Sequence, residues 1–449
     1  MLDWTKHVIW WHVYPLGFTG AEGSAADAPH PVPRLRALEP WLGYLLDLGC
    51  NGLALGPVFA SGTHGYDTTD HFRVDPRLGT SDDLRWLLDT CRERGVHVLL
   101  DGVFNHVGRD FPQFRDVLEH RGASRWANWF DLDLEAGGPD GFGYRDFEGH
   151  HELVALNHAE PEVIDHITTV MNHWLDVGAS GWRLDAAYAI PQDALRAISD
   201  AVHAEHPDAW LVGEVIHGDY PSFVRTGGLN SVTQYELWKA IWSSLNDRNL
   251  FELAWALQRH DALLHDLVPL TFVGNHDVTR LASRLADPEL LGHALAVLFG
   301  VAGVPAVYYG DEQAFRGVKE DRAGGDDAVR PAFPETTDGL APHGWPVYRT
   351  HQELIGMRRR NAWLTGARTA VDHVANEQLA FTSRSGDGEV SVLLNLADRE
   401  HRFDPRGDAQ VLASSGSGGD PWLLAPRSWA VLAGSDKSGG TVSTATDQF

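Results

Sequence analysis

The chain carries very little cysteine: two residues in 449, Cys50 and Cys91. Neither has a Cys or His partner at metal-site spacing, so both read as buried thiols in a reducing compartment. Positive charge is scarce as well. Lys and Arg number 36 against 62 Asp and Glu, for a net charge of -26. Such a surface repels polyanions, and no Lys/Arg run supplies a local patch, which argues against nucleic acid and anionic membranes as partners. The short cluster Arg358, Arg359 and Arg360 reads as a helix end, where cations complement exposed carbonyls. A long apolar run is also missing. The longest, residues 294–309, is interrupted by Gly300, Gly303 and Pro305, which divide it into a helix and a following strand, not a membrane span. The opening MLDWTKHVIWW has no basic region followed by an apolar stretch and cleavage site, and its first apolar run reads as a strand. The expected location is the cytoplasm.

What the sequence does have is a large apolar fraction, 43%, enough for a substantial core. Strand-like runs at 8–14, 52–55, 96–100, 181–184, 211–213, 231–235, 270–273 and 306–309 alternate with helix-period segments. Those include 34–48, with Leu35, Leu38, Leu42, Leu45 and Leu46 on one side, then 84–94 closed by Gly95, and 161–177. Cys50 falls at the end of the first of these helices and Cys91 in the middle of the second. Eight strands suffice to close a barrel. The expected fold is α/β: a (β/α)8 barrel formed by residues 1–106 and 158–364, with a short inserted domain after strand 3 at 107–157. That excursion is rich in Gly, Asp, His and aromatics and shows no sustained period. Past a helix at 347–360, β-rich segments at 378–383, 389–395 and 429–433 predict a C-terminal antiparallel β-sandwich over 365–434. Residues 435–449, polar and Gly/Ser-rich, are expected to be disordered.

Several of the strands end in polar tips. DGVFNHVG at 101–108, GWRLDAA at 181–187, GEV at 213–215 and FVGNHD at 272–277 each close an apolar run with carboxylates or basic groups. In a barrel all strand ends open on one face, so Asp185, Glu214 and Asp277 share one pocket. Converging carboxylates suit glycoside hydrolysis, where one group stays protonated to donate and another stays charged to attack. They also suit a metal, but Arg183, two residues before Asp185 and on the same side of its strand, opposes a cation there.

The four segments resemble the conserved regions of the α-amylase family of glycoside hydrolases, family 13. HGYDTTDHFRVDPRLGT at 64–80, GVPAVYYGDE at 303–312 and GDDAVR at 325–330 also look like family stretches, and LVALN at 153–157 is similar to a motif of its neopullulanase- and cyclodextrinase-like members. The resemblance implies Asp185 as nucleophile, Glu214 as general acid/base and Asp277 as the carboxylate that stabilises the transition state. It implies that Arg183 positions the nucleophile, that His106 and His276 bond sugar hydroxyls, that Asp101 and Asn105 shape the pocket, that Tyr66 stacks on the sugar, and that Asp326 and Arg330 line its rim. Against these roles, an isolated buried carboxylate at a strand end is costly unless used, whereas an aromatic such as Tyr66 is as often packing as platform. Trp126, Trp129, Trp182, Trp238 and Trp242 could stack on sugars but read more readily as core, and His150 and His151 as solvated loop residues.

The implied activity is retaining hydrolysis of α-glucosidic bonds in small maltooligosaccharides, cyclic or branched, by double displacement. A transferase or isomerase on the same scaffold, a glucanotransferase or trehalose synthase, is the alternative; a non-catalytic sugar-binding barrel is the third reading, opposed by the intact carboxylates. No cofactor is required. Calcium is left open by Asp131, Asp133 and Asp140, which read first as solvated turns. The chain departs from the family at Tyr188 and Ala189, where starch-degrading members commonly place Lys-His, and it starts almost directly on the first strand, without the N-terminal β domain that neopullulanase- and cyclodextrinase-like members usually use to dimerise. A homodimer stays open, but it would be built differently. The short excursion predicts an open leaving-group side.

Overall fold

The computed structural model describes residues 2–434 other than 22, 29, 323, 417 and 418. The tail expected to be disordered lies outside the described residues. Eight parallel strands follow in chain order: β1 (Trp10–Val13), β2 (Gly52–Leu55), β3 (His97–Gly102), β4 (Gly181–Leu184), β5 (Trp210–Gly213), β6 (Ser231–Val232), β7 (Leu270–Phe272) and β8 (Val304–Tyr308). Each pairs with its sequence neighbours, and β8 pairs back onto β1. Between β6 and β7 the join is a single bridge, Thr233 to Leu270, and this closes the barrel. β6 is only two residues long because Tyr235 already starts the next helix, Tyr235–Asp247. The eighth strand starts two residues earlier than its apolar pattern suggested, with Pro305 inside it, while Gly300 and Gly303 flank the turn that separates it from the helix Leu291–Gly300.

The barrel interior is filled by large side chains. Trp10 and Trp210 stack across it at 5.7 Å, joined by Leu99, Val212, Phe272 and Val304 in one buried cluster. Room for Trp10 comes from Gly52, its cross-strand partner: a Cβ there would lie 2.4 Å from the indole. A second, larger apolar layer separates the strands from the outer helices. In the helix Glu39–Leu48, Leu42 and Leu45 are buried as their spacing implies, but Leu46 faces solvent; Trp41 and Tyr44 complete the inner face. Helix Ser81–Glu93 begins with a Thr80–Asp83 capping box, and Pro161 opens helix Pro161–Val177, where a missing N–H costs nothing.

Cys50 and Cys91 are both buried and free, Cys91 in the last turn of its helix, not its middle. Arg358 does serve helix carbonyls, though not those of its own helix Trp345–Arg360. It donates to Phe299 O at 3.1 Å, to Val301 O, and to Gly303 O at 2.6 Å, capping the end of the neighbouring Leu291–Gly300.

Two excursions rise from the strand ends. A hairpin, Phe59–Ser61 with Thr68–Val74, follows β2. It is anchored by the buried pair Asp75–Arg77, at 2.8 Å, whose Asp also receives the Ser61 hydroxyl at 3.0 Å. The insertion after β3 is more ordered than its composition implied. It holds a helix, Pro112–His120, too short for its two buried residues, Phe114 and Val117, to register as a period, and a small sheet of His106–Gly108, His150–Ala155 and Asp146–Phe147. At the C-terminal end, a five-stranded antiparallel sheet runs in the order 368–374, 378–385, 388–395, 428–434, 409–414. One face, with Phe381, Val392 and Val431, joins the barrel core; the other, with Leu393 and Leu432, is covered by Phe403, Trp422 and Leu424 around a two-stranded ribbon. The sandwich is thus unequal, five strands against two. Among the described residues no helix is long and apolar enough to cross a membrane.

Candidate active site

Strand register assembles the floor of the site. Arg183 on β4 lies directly opposite Asp101 on β3, and the pair Leu184–Gly213 puts Asp185 level with Glu214 at the tips of β4 and β5. Neighbouring parallel strands are roughly 4.8 Å apart, so these side chains must interact. One Arg183 nitrogen reaches both Asp101 oxygens, at 2.7 and 2.8 Å, and Asp185 Oδ1 at 3.1 Å. The other reaches Glu214 Oε1 at 2.8 Å. A single buried guanidinium therefore joins three carboxylates, and Asp101 is consumed by it beneath the cavity, where it also receives the Tyr66 hydroxyl at 3.2 Å.

Glu214 has two further partners. Its Oε2 accepts the Ala186 N–H at 3.0 Å, and its Oε1 accepts the Tyr235 hydroxyl at 3.1 Å, itself held by Asn275 at 2.8 Å. Ala186 adopts a left-handed conformation, φ 45°, which costs a non-glycine residue about 1–2 kcal/mol. The strain turns the chain sharply after Asp185 and aims that N–H at Glu214.

Asp277 sits beyond β7 with its own clamp. His276 Nε2 lies 3.0 Å from Oδ2, and Arg330 donates to Oδ1 at 2.9 Å and to Asp326 Oδ2 at 3.0 Å. Arg330 also binds His276 O at 3.0 Å and lies over the Tyr14 ring. Tyr66 stacks on His276, with centroids 5.5 Å apart, and its hydroxyl contacts the His276 ring.

The two ends of the site differ electrostatically. Burial pushes Asp185 well up from the carboxylate range; Arg183 opposes this, while Glu214 and Asp101 reinforce it. For Asp277 burial is outweighed by His276, Arg330 and Arg183, which hold its carboxyl well below that range. Burial also takes the His106 pKa down to about 3, so its imidazole is neutral at physiological pH. His106 stacks on Phe147 of the insertion at 4.6 Å.

These groups open into a cavity of about 520 Å³ whose lining includes Tyr66, His106, Asp185, Glu214, Asp277, Asp326 and Arg330. The volume fits a sugar-sized ligand. Asp101 is absent from the wall, as is Arg183; both act from below. Of the five tryptophans singled out from the sequence, only Trp238 reaches the cavity, while Trp182 and Trp129 are core. His150 lines the cavity as well, and His151 pairs with Asp146 at 2.6 Å.

Tyr235 and Glu148 were missed from the sequence, and Tyr188 stood out there only as a departure from the family pattern. Tyr235 follows β6 directly, so the rule that placed the other strand-end residues would have found it. Tyr188 donates to Glu148 Oε1 at 2.9 Å, which ties the insertion tip to the segment after β4; Glu148 itself has φ 53°. This bond bridges the edge of the cavity between the insertion and the segment after β4, where the short excursion predicted an open side. The three aspartates considered for calcium each have another partner. Asp131 pairs with Arg145 at 3.0 Å, Asp140 with Arg109 at 2.8 Å, and Asp133 caps the Glu135 and Ala136 N–H groups at 3.1 and 3.0 Å. Among the described residues no group of three or more His, Cys, Asp and Glu side chains is placed to hold a metal ion.

A (β/α)8 barrel with converging carboxylates on its C-terminal face is the build of a glycoside-bond enzyme. The α-amylase catalytic-domain family matches residues 12–382, and the chain belongs to that family. It is similar to a cyclomaltodextrinase of Geobacillus thermopakistaniensis, 30% identical over 431 residues, which span 88% of this chain and 70% of the relative. Among solved structures, the cyclic α-maltosyl-(1→6)-maltose hydrolase of Arthrobacter globiformis is 26% identical with a TM-score of 0.80, covering 96% of this chain and 99% of that one. The debranching enzyme of Nostoc punctiforme is 25% identical, also with a TM-score of 0.80, and covers 96% and 99%.

Proposed function

We propose that the protein is a retaining α-glucan hydrolase that opens small cyclic or branched maltooligosaccharides, with Asp185 as nucleophile, Glu214 as general acid/base and Asp277 as the group that grips the sugar at the transition state. The observation that carries this reading is the single Arg183 guanidinium shared by Asp185 and Glu214. Both carboxyls thus stand at neighbouring strand tips within reach of one guanidinium, an arrangement that accommodates the separation of about 5–5.5 Å of retaining enzymes.

In this mechanism Asp185, its carboxylate oriented by Arg183, attacks the anomeric carbon while Glu214 serves as the acid that protonates the departing oxygen. Glu214, now ionised, then takes a proton from the water that breaks the glycosyl ester. Asp277, held ionised by its clamp, offers oxygens to the sugar hydroxyls as positive charge develops at the ring, and Arg330 fixes its orientation.

The substrate class is supported by the named activities of the similar proteins, which act on cyclodextrins and on cyclic maltosyl-maltose. It is also supported by the rim, where Tyr188 and Ala189 stand in place of a cationic Lys-His pair and Tyr188 bonds Glu148 of the insertion. The two buried free thiols favour the cytoplasm as its location. The test is turnover of β-cyclodextrin, cyclic maltosyl-maltose, pullulan and soluble starch, each with and without added glucose. Hydrolysis of the small cyclic substrates ahead of starch is expected. Preference for starch would sink the substrate assignment, and glucose-dependent transfer products in place of hydrolysis would select a transferase.

A further inference from the structure

Beside the catalytic cavity lies a second hollow of about 400 Å³, and the two share Ile216, Tyr235 and Trp238. Its far wall is Trp255, on the helix Leu250–Leu263 that follows helix Tyr235–Asp247. Trp255 is 59% exposed and Ile216 42%, both high for large apolar residues. Trp238 is the rigid end of this ledge, packed edge-on against Tyr235 at 5.8 Å and stacked on Phe272 at 6.4 Å.

The charges along the ledge are all matched. Arg259 lies 4.9 Å over the Trp255 ring and pairs with Glu236, and Lys239 pairs with Glu252, which also accepts the Ser243 hydroxyl at 2.9 Å. The surface therefore attracts neither an anion nor a cation. It offers two indole faces and a fringe of hydrogen-bonding groups, the complement of a glucose ring, with its apolar C–H face and hydroxyl edge. The ledge also continues from a particular side of the cavity: Ile216 is two residues past Glu214, and Tyr235 holds the Glu214 carboxyl.

We propose that Trp238 and Trp255 form an accessory glucan-binding ledge that receives the arm of the substrate extending past the leaving-group sugar, so that longer, branched or cyclic glucans gain contacts that maltose cannot make. This rests on the assignment of Glu214 as the acid that protonates the leaving group. Continuity with the cavity commits the ledge to a glucan. The competing occupant is a second copy of this chain, since Phe251, one helical turn before Trp255, is also 51% exposed.

The test uses the full-length Glu214→Gln protein, which should bind without turnover, with maltose, maltoheptaose and β-cyclodextrin titrated calorimetrically. Adding Trp255→Ala should weaken maltoheptaose and β-cyclodextrin roughly tenfold and leave maltose within twofold, while Trp255→Phe should restore most of the loss. Equal affinity for the long glucans with and without Trp255→Ala would overturn the proposal. So would a dimer that Trp255→Ala converts to monomer in sedimentation while glucan affinity is unchanged, because the ledge would then be a contact between copies. If Glu214→Gln bound no glucan of any length, the functional reading itself would fall; binding that ignores length would remove only the ledge.

Discussion

The floor of the cleft and its rim are built from different materials. On the floor, Asp101, Arg183, Asp185 and Glu214 stand at strand ends fixed by register, and every one is buried. Around the rim, Tyr188, Glu148, Ile216 and Trp238 come from loops and first helical turns and are partly or largely exposed. Moving a floor group leaves a buried charge unpartnered; moving a rim group changes what water and sugar can touch. Chemistry should therefore reside in the floor and substrate choice in the rim.

The largest effect expected is on the floor. Glu214→Gln should lower kcat/KM on the order of 10²–10⁴-fold with an unchanged circular dichroism spectrum, and a substrate with an activated leaving group should recover most of the first step. Asp185→Asn should lose at least as much with every substrate. Equal activity in either variant would break the division at once. Arg183→Ala should fail differently, by losing stability as well as turnover, about 3–5 kcal/mol in denaturant unfolding, because three carboxylates lose one shared cation.

A smaller effect comes from a buried acid outside the cleft, which sharpens the comparison by showing burial without catalysis. Glu312 is fully buried, and burial raises its pKa to about 7. With the folded value above the unfolded one, its stabilising contribution is complete below about pH 4.5 and is lost as the pH rises through 7. Glu312→Gln should thus gain stability relative to wild type above pH 7, by up to roughly 3 kcal/mol, and nothing at pH 4. A gain that grows toward low pH would show the sign to be wrong.

The smallest effect is at the rim. Tyr188→Phe removes the bond to Glu148 and should raise KM for cyclic substrates a few-fold, roughly 1 kcal/mol for a partly exposed bond, with kcat on maltotriose within twofold. A loss in kcat equal to that of Glu214→Gln would place Tyr188 in the chemistry and erase the distinction between floor and rim.

The same contrast governs what the sequence made legible. The floor was readable because a buried parallel strand announces itself by an apolar run, and its polar tip must then lie on the common face. GWRLD and GEV needed nothing more, although Asp101, expected to shape the pocket, lies beneath it with its carboxylate held by Arg183. The rim was readable only in part: Asp326, Arg330 and Tyr188 stood out, but the partner of Tyr188 did not. Tyr188 meets Glu148 from forty positions away, through an insertion whose helix buries only Phe114 and Val117 and so leaves no period to detect. Trp238 and Trp242 lie one turn apart on the same helix and look alike in sequence; only packing sends the first to the cavity, while the second is covered by Arg284 at 4.7 Å. Arg358 was placed correctly at a helix end, but the carbonyls it serves belong to a different helix.

The central claim is that Asp185 forms a covalent bond to the sugar. Its most direct measurement is peptide mass mapping of the Glu214→Gln protein after brief exposure to an α-maltosyl fluoride, whose leaving group needs no acid. A maltosyl ester on Asp185, in the peptide that contains residues 181–187, is the predicted result. An ester on another carboxylate, or release of β-maltose with no adduct, would contradict it.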